Sequence, residues 1–224
     1  MSAKTYDKRT AAFAGFVIQN MPAGLTDEIM QGWMDNPSAM KKFLAGLVPP
    51  EVSFISIVAT THLDAVKGKK TAKCFTDDWY YRSDDFDRWL GKSQPDADSC
   101  TVSACAMGKD WLFVEAARAL PGVGQTSDIA VLGRSLIACG YTVTLPQIED
   151  LKVRTERGED TGMRTDGYGN FFFVETGDPE NPVSVGYVCR VDRGWVADVF
   201  RLGRDDRWYV DYRLLVRNLD ASRL

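Results

Sequence analysis

The densest group of side chains that could do chemistry in this sequence is acidic. Five aspartates fall within eleven residues and are interleaved with aromatic side chains; they are Asp77, Asp78, Asp84, Asp85 and Asp87. Paired carboxylates beside aromatic rings suit a glycosidase or a magnesium-dependent nuclease, in which two acids bind metal or exchange protons. Asp78 and Asp85 are the first residues to test for that role. The competing interpretation is that Asp84 and Asp85 complement the positive end of a helix dipole while the others are solvated, and it is favoured because acidic first turns are common.

The histidine and the cysteines give weaker evidence for a catalytic or metal-binding site. The chain has one histidine, His62, and no nucleophile elbow or cysteine signature that would pair with it. The five cysteines are scattered among apolar residues without a Cys-x-x-Cys pair, which favours reduced thiols in the core over a structural zinc. They are Cys74, Cys100, Cys105, Cys139 and Cys189. No metal or other cofactor is expected.

Two glycine motifs could present backbone N–H groups to an anion. Gly91-Lys92-Ser93 resembles the end of a phosphate-binding loop, but the upstream glycine is missing and the motif follows a predicted helix. Gly122-Val123-Gly124 precedes a helix predicted to begin at Thr126 or Ser127. Both work equally well as turns, and the turn interpretation is favoured; anion or nucleotide binding at residues 122–126 is a weaker hypothesis.

Arginine and aromatic residues share the last part of the sequence. Residues 190–224 hold eight arginines, no lysine and six aspartates, a local charge of +2. Arginine beside aromatic rings on a sheet could grip phosphate or stack bases, but +2 is small for a nucleic-acid site, and Arg–Asp neighbours also suit pairing on a solvated sheet. The predicted contact residues are Tyr168, Arg193, Trp195, Arg207, Trp208 and Tyr209.

The elements that must position these residues are those of an α+β protein. The sequence predicts helices within residues 1–48, strands over residues 51–60 and 100–107, and a short strand over residues 71–75. A helix from Ser83 to Gly91, helices over 111–120 and 126–138, and a short helical turn after Leu145-Pro146 complete the mixed middle. The last part predicts an antiparallel β-meander packed on helices, with strands over 170–176, 183–191, 195–200 and 208–216. A boundary near Ser93–Ser99 would separate residues 1–95 from 100–224, although one continuous domain fits equally.

Composition and charge limit the kinds of partner and the cellular location that we expect. The net charge is −4 with a pI near 5.1, which gives no global attraction to nucleic acid or an anionic membrane. No apolar run approaches the roughly 18 to 20 residues that span a bilayer. Asp7 interrupts the basic start, which counts against a secretory signal. A cytoplasmic protein is expected.

Two stretches carry a resemblance. Residues 132–148 and 165–174 combine a helix stopped by Gly140, a proline-started helix and the strand that follows Gly167-Tyr168-Gly169-Asn170. Over about residues 100–217 the chain resembles a family of uncharacterised bacterial proteins. The resemblance implies a bacterial cytoplasmic origin and the α-then-β order. It carries no activity, cofactor or site residue.

These observations favour a non-catalytic binding or regulatory protein whose partner is another protein, contacted through the aromatic and arginine-bearing C-terminal sheet. Nucleic acid is a weaker candidate partner, and no membrane is expected. The rival hypothesis is a metal-dependent hydrolase or nuclease that uses the acidic cluster from Asp77 to Asp87.

Overall fold

The computed structural model describes residues 31–32, 35–36, 38 and 55–219. By its contacts the chain divides into two units, Met1–Val52 and Ser53–Leu224, and the strands and helices given below belong to the second. The helices predicted within residues 1–48 lie outside the described residues, apart from a few isolated positions. The segment Ser93–Ser99 falls inside the second unit, where Gln94 is buried.

The described part is α+β, as the sequence predicts. Its strands are β1 (Ile55–Leu63), β2 (Trp79–Arg82), β3 (Cys100–Met107), β4 (Trp111–Leu112), β5 (Gly169–Glu175), β6 (Val183–Val191), β7 (Gly194–Arg201), β8 (Arg207–Trp208) and β9 (Arg213–Arg217). Its helices are α1 (Asp85–Trp89), α2 (Phe113–Arg118), α3 (Ile129–Ala138) and α4 (Leu145–Glu156), with a 3-10 turn at Thr71–Lys73. Among these residues no helix is long and apolar enough to cross a membrane.

The strands form a seven-stranded mixed sheet in the order β1-β3-β9-β5-β6-β7-β2, and β4 pairs with β8 in a separate two-stranded sheet. The predicted meander holds for β5, β6 and β7, which pair antiparallel in sequence order. It fails for the fourth strand. Residues 208–216 are split by a turn in which the Tyr212 N–H donates to the Tyr209 carbonyl (2.9 Å), and β9 then lies parallel to β5 and antiparallel to β3. The buried run Leu214-Leu215-Val216 suits this interior position, since a central strand is covered on both faces.

The sheet has a hydrophobic core on each face. Along β5, Phe171 and Phe173 enter one core while Phe172 and Val174 enter the other, because successive side chains of a strand point to opposite faces. Helices α2 and α3 pack on the Phe171 face. Helices α1 and α4 pack on the Phe172 face. The unit is therefore a three-layer arrangement with the sheet in the middle.

Helix starts were only partly predicted. The N-cap of α3 is Asp128, whose carboxylate accepts from the Val131 N–H (3.0 Å), rather than Thr126 or Ser127. After Leu145-Pro146 the chain forms a twelve-residue helix, not a short turn. Its start is stabilised by a capping box in which the Gln147 side chain accepts from the Thr144 N–H (3.0 Å).

The region before α1 also differs from the prediction. Residues 71–75 form the 3-10 turn and a loop instead of a strand, and the Trp79–Arg82 strand was not predicted. This strand pairs parallel with β7 at the edge of the sheet. The partner strand of β2 lies more than a hundred residues away along the sequence. The local residue pattern around β2 therefore does not predict it.

Candidate functional site

The single histidine and the cysteines take no part in a common site. His62 is exposed on β1, and its backbone carbonyl accepts from Arg154 (2.9 Å). All five cysteines are unpaired. Burial raises the pKa of the Cys105 thiol to about 12, and burial together with Glu149 raises the pKa of Cys74 to about 11. These two thiols are therefore protonated at neutral pH and are poor nucleophiles, as expected of core cysteines.

The acidic cluster is dispersed over a turn, an exposed loop and α1. Asp77 and Asp78 are exposed, and Asp78 has a positive φ of 60°. Asp85 forms an ion pair with Arg88 (2.9 Å), and Asp87 forms one with Arg82 (3.0 Å). Within the described residues, no group of three or more histidine, cysteine or acidic side chains is placed to hold a metal ion. The hypothesis that a pair of these carboxylates, Asp78 and Asp85, serves a hydrolase stays a prediction.

Both glycine motifs form turns between elements of the described chain. Gly91 ends α1 with a φ of 70°, and the Lys92 carbonyl accepts from the Thr71 N–H (3.2 Å). The loop from Gly122 to Thr126 joins α2 to α3. There the Thr126 carbonyl accepts from Arg118 (2.8 Å), while the Thr126 hydroxyl accepts from the Asp128 N–H (3.1 Å).

Two of the predicted contact residues are core residues. Trp195 and Trp208 are each 1% exposed. The Trp195 indole donates to Glu156 (2.9 Å) at the end of α4. The Trp208 ring lies 4.9 Å from that of Phe171 and 5.1 Å from that of Phe113. Neither ring is available to a partner in this structure, because each faces inward, Trp195 between half-buried neighbours and Trp208 between exposed ones.

Tyr168 and Tyr209, by contrast, are exposed and are brought together. Tyr168 is 40% exposed and Tyr209 is 51% exposed. The Tyr212 ring lies between them, 6.3 Å from Tyr168 and 5.5 Å from Tyr209 between centroids. The Arg164 guanidinium lies 4.5 Å from the centroid of Tyr168. Arg213, the first residue of β9, lines a groove together with Arg164. We call the whole group the tyrosine–arginine surface: Arg164, Tyr168, Tyr209, Tyr212 and Arg213.

The remaining two predicted contact residues lie apart from this group. Arg193 is in the turn between β6 and β7, where it donates to the Tyr80 hydroxyl (3.0 Å) on the edge strand β2. Arg207 is exposed on β8.

The loop of residues 158–168 positions half of the tyrosine–arginine surface, and it is held tightly against the sheet. Gly162 has a φ of 72°, and a Cβ there would lie 2.4 Å from the Ala104 Cβ and 2.8 Å from the Ala59 Cβ. Only glycine combines this backbone conformation with such a close approach. The loop therefore depends on Gly162 and on the small alanines of β1 and β3.

Asn170 fixes the backbone of Arg164. The Asn170 side chain is fully buried. Its oxygen accepts from the Arg164 N–H (2.7 Å), and its nitrogen donates to the carbonyls of Arg164 (3.0 Å) and Val188 (3.2 Å). One amide thus ties the loop to β6 and sets where the arginine side chain begins.

The Arg164 side chain is itself fixed by protein groups. It donates to Asp166 (2.8 Å), with which it also forms an ion pair, and to the Asp211 carbonyl (2.7 Å). The hydrogen bond from Arg164 and its charge lower the pKa of Asp166. Arg164 consequently presents a fixed, charge-balanced plane above Tyr168.

Open grooves lie on either side of Thr165 and Asp166. One, of about 430 Å³, is lined by Val58, Asp160, Gly162, Met163, Arg164, Thr165, Asp166 and Arg213. The other, of about 660 Å³, is lined by Thr165, Asp166, Gly167, Arg190, Val191 and Asp192. We call them the Arg213 groove and the Arg190 groove.

Tyr168 and Tyr209 are among the contact residues predicted from the sequence, whereas Arg164, Tyr212 and Arg213 are not. The available signal was the spacing of Arg164, Asp166 and Tyr168 around Gly167, just before the buried Asn170. Tyr212 and Arg213 could not be assigned in this way, because their position follows from the crossing of β9 to the middle of the sheet.

Comparison with protein-family models, with curated proteins and with solved structures finds no match to this chain. The resemblance over residues 100–217 therefore stays a prediction.

Proposed function

We propose that this protein is a non-catalytic binding or regulatory protein that contacts another protein through the tyrosine–arginine surface. The observation that carries the proposal is the row of rings in which the exposed Tyr168 and Tyr209 flank the half-buried Tyr212, at 6.3 Å and 5.5 Å between ring centroids. Tyrosine and arginine are enriched at the energetically dominant positions of protein interfaces, since each combines a large contact area with hydrogen-bonding groups.

The fixed arrangement of the surface supports the proposal. Ordering a side chain on binding costs roughly 0.5–1.5 kcal/mol. Arg164 is already held by Asp166 and the Asp211 carbonyl, and Tyr212 packs against Phe171 at 5.3 Å between centroids. A partner would therefore meet a surface whose central groups are ordered in advance.

Charge favours a protein over a nucleic acid as the partner. Arg164 is balanced by Asp166, and Asp211 and Asp192 lie beside the arginines in the sequence. A nucleic-acid site requires several arginines or lysines free to neutralise phosphates. Mixed charge around aromatic rings is instead typical of the rim and centre of a protein interface.

Paired double variants test the proposal. Tyr168→Ala with Tyr209→Ala removes two exposed rings of the surface, and the matched control is Tyr80→Ala with Tyr81→Ala, two rings of similar exposure (51% and 50%) on β2. The measurement is crosslinking in native lysate followed by mass spectrometry, and then the Kd of each variant for the identified protein. We expect the first pair to weaken binding at least about tenfold, while the control binds normally.

Equal binding by both pairs in folded protein would overturn the proposal. Binding lost only in the Tyr80/Tyr81 pair would move the interface to the β2 edge. Capture of an oligonucleotide in place of a protein, with a steep dependence on salt, would replace the protein partner by nucleic acid.

A further inference from the structure

Arg213 differs from the other arginine of the tyrosine–arginine surface. Its guanidinium donates a long hydrogen bond (3.4 Å) to the Tyr212 carbonyl. Among the described residues no carboxylate forms an ion pair with it, whereas Arg164 is paired with Asp166. Arg213 is also partly buried at the start of β9. Most of its donors therefore have no carboxylate partner among residues 55–219.

Its surroundings do not favour an isolated cation. Desolvation and the neighbouring charge of Arg164 lower the pKa of Arg213, and Asp166 and Asp211 offset this only in part. An anion placed against Arg213 would compensate both effects.

The groove beside Arg213 has a second, apolar character. Met163 is buried at 8% exposure along its floor, and Val58, 49% exposed, stands at its side. The positions of Gly162 and Thr165 leave an open volume of about 430 Å³. A ligand here could place an anionic group on Arg213 and a short aliphatic stem against Met163 and Val58.

We propose that the Arg213 groove binds a carboxylate, supplied by an acidic side chain of the partner protein. The proposal rests on the proposed binding function and names the chemistry that the partner must present. A planar carboxylate matches the fork of a guanidinium and can accept two parallel hydrogen bonds. Asp160 and Asp166 line the same groove, so a singly charged carboxylate is repelled less than a phosphate dianion.

Small capped compounds test the site directly on the full chain. The probes are N-acetyl-glutamate amide, which carries a side-chain carboxylate, and N-acetyl-glutamine amide, which is its neutral counterpart. N-acetyl-leucine presents a terminal carboxylate, and inorganic phosphate tests a different anion. The measurement is the shift of backbone amide signals in two-dimensional NMR of ¹⁵N-labelled protein during titration.

We expect the glutamate probe to shift signals of residues 162–166 and Arg213 saturably, with a Kd of about millimolar, as befits a single ion pair with a short stem. The glutamine probe should shift none of them. Arg213→Met keeps the aliphatic stem without the charge and should abolish the shifts, while Arg213→Lys should retain them at weaker affinity. The matched control Arg207→Met, an exposed arginine on β8, should bind as the unchanged protein does.

Other results of the same titrations would contradict the proposal. Equal shifts with the glutamine probe, or undiminished glutamate binding in Arg213→Met, would overturn the proposal. Preference for phosphate would overturn the carboxylate in favour of a phosphate ligand, and preference for N-acetyl-leucine would replace the acidic side chain by a chain terminus. If the tyrosine variants lose the partner protein while no carboxylate binds, this inference fails and the proposed function stands; if the glutamate probe binds but the tyrosine variants keep the partner, the proposed function fails.

Discussion

Exposed tyrosines lie under arginines at two places in the described part of the chain, and the two places differ in the groups that their arginines contact. At the β2 edge, Arg193 lies 5.7 Å from the ring of Tyr80, and the nearby Arg82 is paired with Asp87. At the tyrosine–arginine surface, Arg164 lies 4.5 Å from Tyr168, but Arg213 borders an open groove without a carboxylate partner among the described residues. Residue composition is nearly the same in both. The difference lies in what the arginines meet. Arg193 donates to the Tyr80 hydroxyl (3.0 Å), whereas the hydrogen bond given for Arg213 among the described residues is a long one to the Tyr212 carbonyl (3.4 Å).

The comparison is tested most strongly at Gly162, where we expect the largest loss of stability. Gly162→Ala would force a Cβ to within 2.4 Å of the Ala104 Cβ and place alanine at a φ of 72°. We expect a loss of about 3 kcal/mol in the free energy of unfolding, together with lost binding, because the loop must lift from the sheet. The measurement is urea denaturation.

Gly158→Ala is the matched control for this change. Gly158 also has a positive φ, 86°, but nothing lies within 4 Å of a Cβ there. Only the backbone strain remains, so a loss of about 1 kcal/mol is expected. Equal losses in the two variants would show that the close packing of the loop on β1 and β3 contributes nothing.

A somewhat smaller effect is expected at Asn170. Asn170→Ala leaves the Arg164 N–H and the carbonyls of Arg164 and Val188 without the partner they have now. We expect a loss of about 2 kcal/mol in stability and a weaker affinity for the partner protein, since Arg164 is no longer held above Tyr168. Asn181→Ala serves as the control, because Asn181 donates only to Asp178 (3.1 Å) near the surface. Unchanged partner affinity in a folded Asn170→Ala protein would contradict the positioning role.

The smallest effect is expected at the acidic cluster. The double change Asp78→Asn and Asp85→Asn removes one exposed carboxylate and one (i, i+3) ion pair with Arg88. Such a pair contributes about 0.5 kcal/mol or less. We expect the Tm to change by no more than a few degrees and millimolar Mg²⁺ to leave the Tm of the unchanged protein where it is. A large Mg²⁺-dependent rise that the double change abolishes would break the comparison and restore the hydrolase hypothesis.

Local sequence pattern predicted the strands with alternating or β-branched residues closely. The β3 and β6 bounds, Cys100–Met107 and Val183–Val191, coincide with the predicted ranges, because turn residues bracket both. The β2 strand and the position of β9 were beyond reach, since each depends on a partner strand distant in the sequence. The twelve residues of α4 were underestimated even though Thr144 and Gln147 provided a capping signal.

The candidate site likewise combines features that local sequence predicts with features that depend on distant strands. Tyr168 and Trp195 look alike in sequence, both aromatic beside a glycine and near arginines, yet one is 40% exposed and the other 1%. Which face of a strand a ring occupies follows from register, and register is set by the whole sheet. Local sequence therefore indicates the kinds of residues in the tyrosine–arginine surface, and the position of β9 in the sheet decides which of them lie close together.

The place of β9 in the sheet also bears on how the chain is made. β9 is the last strand along the described chain, yet it lies in the middle of the sheet, between β3 and β5. Until residues 213–217 have left the ribosome, β1–β3 and β5–β6–β7 are two separate sheets, each with an open inner edge. A nascent chain halted before Arg213 would therefore expose two unpaired strand edges and an incomplete core, and we expect chaperones to bind it until β9 has been made.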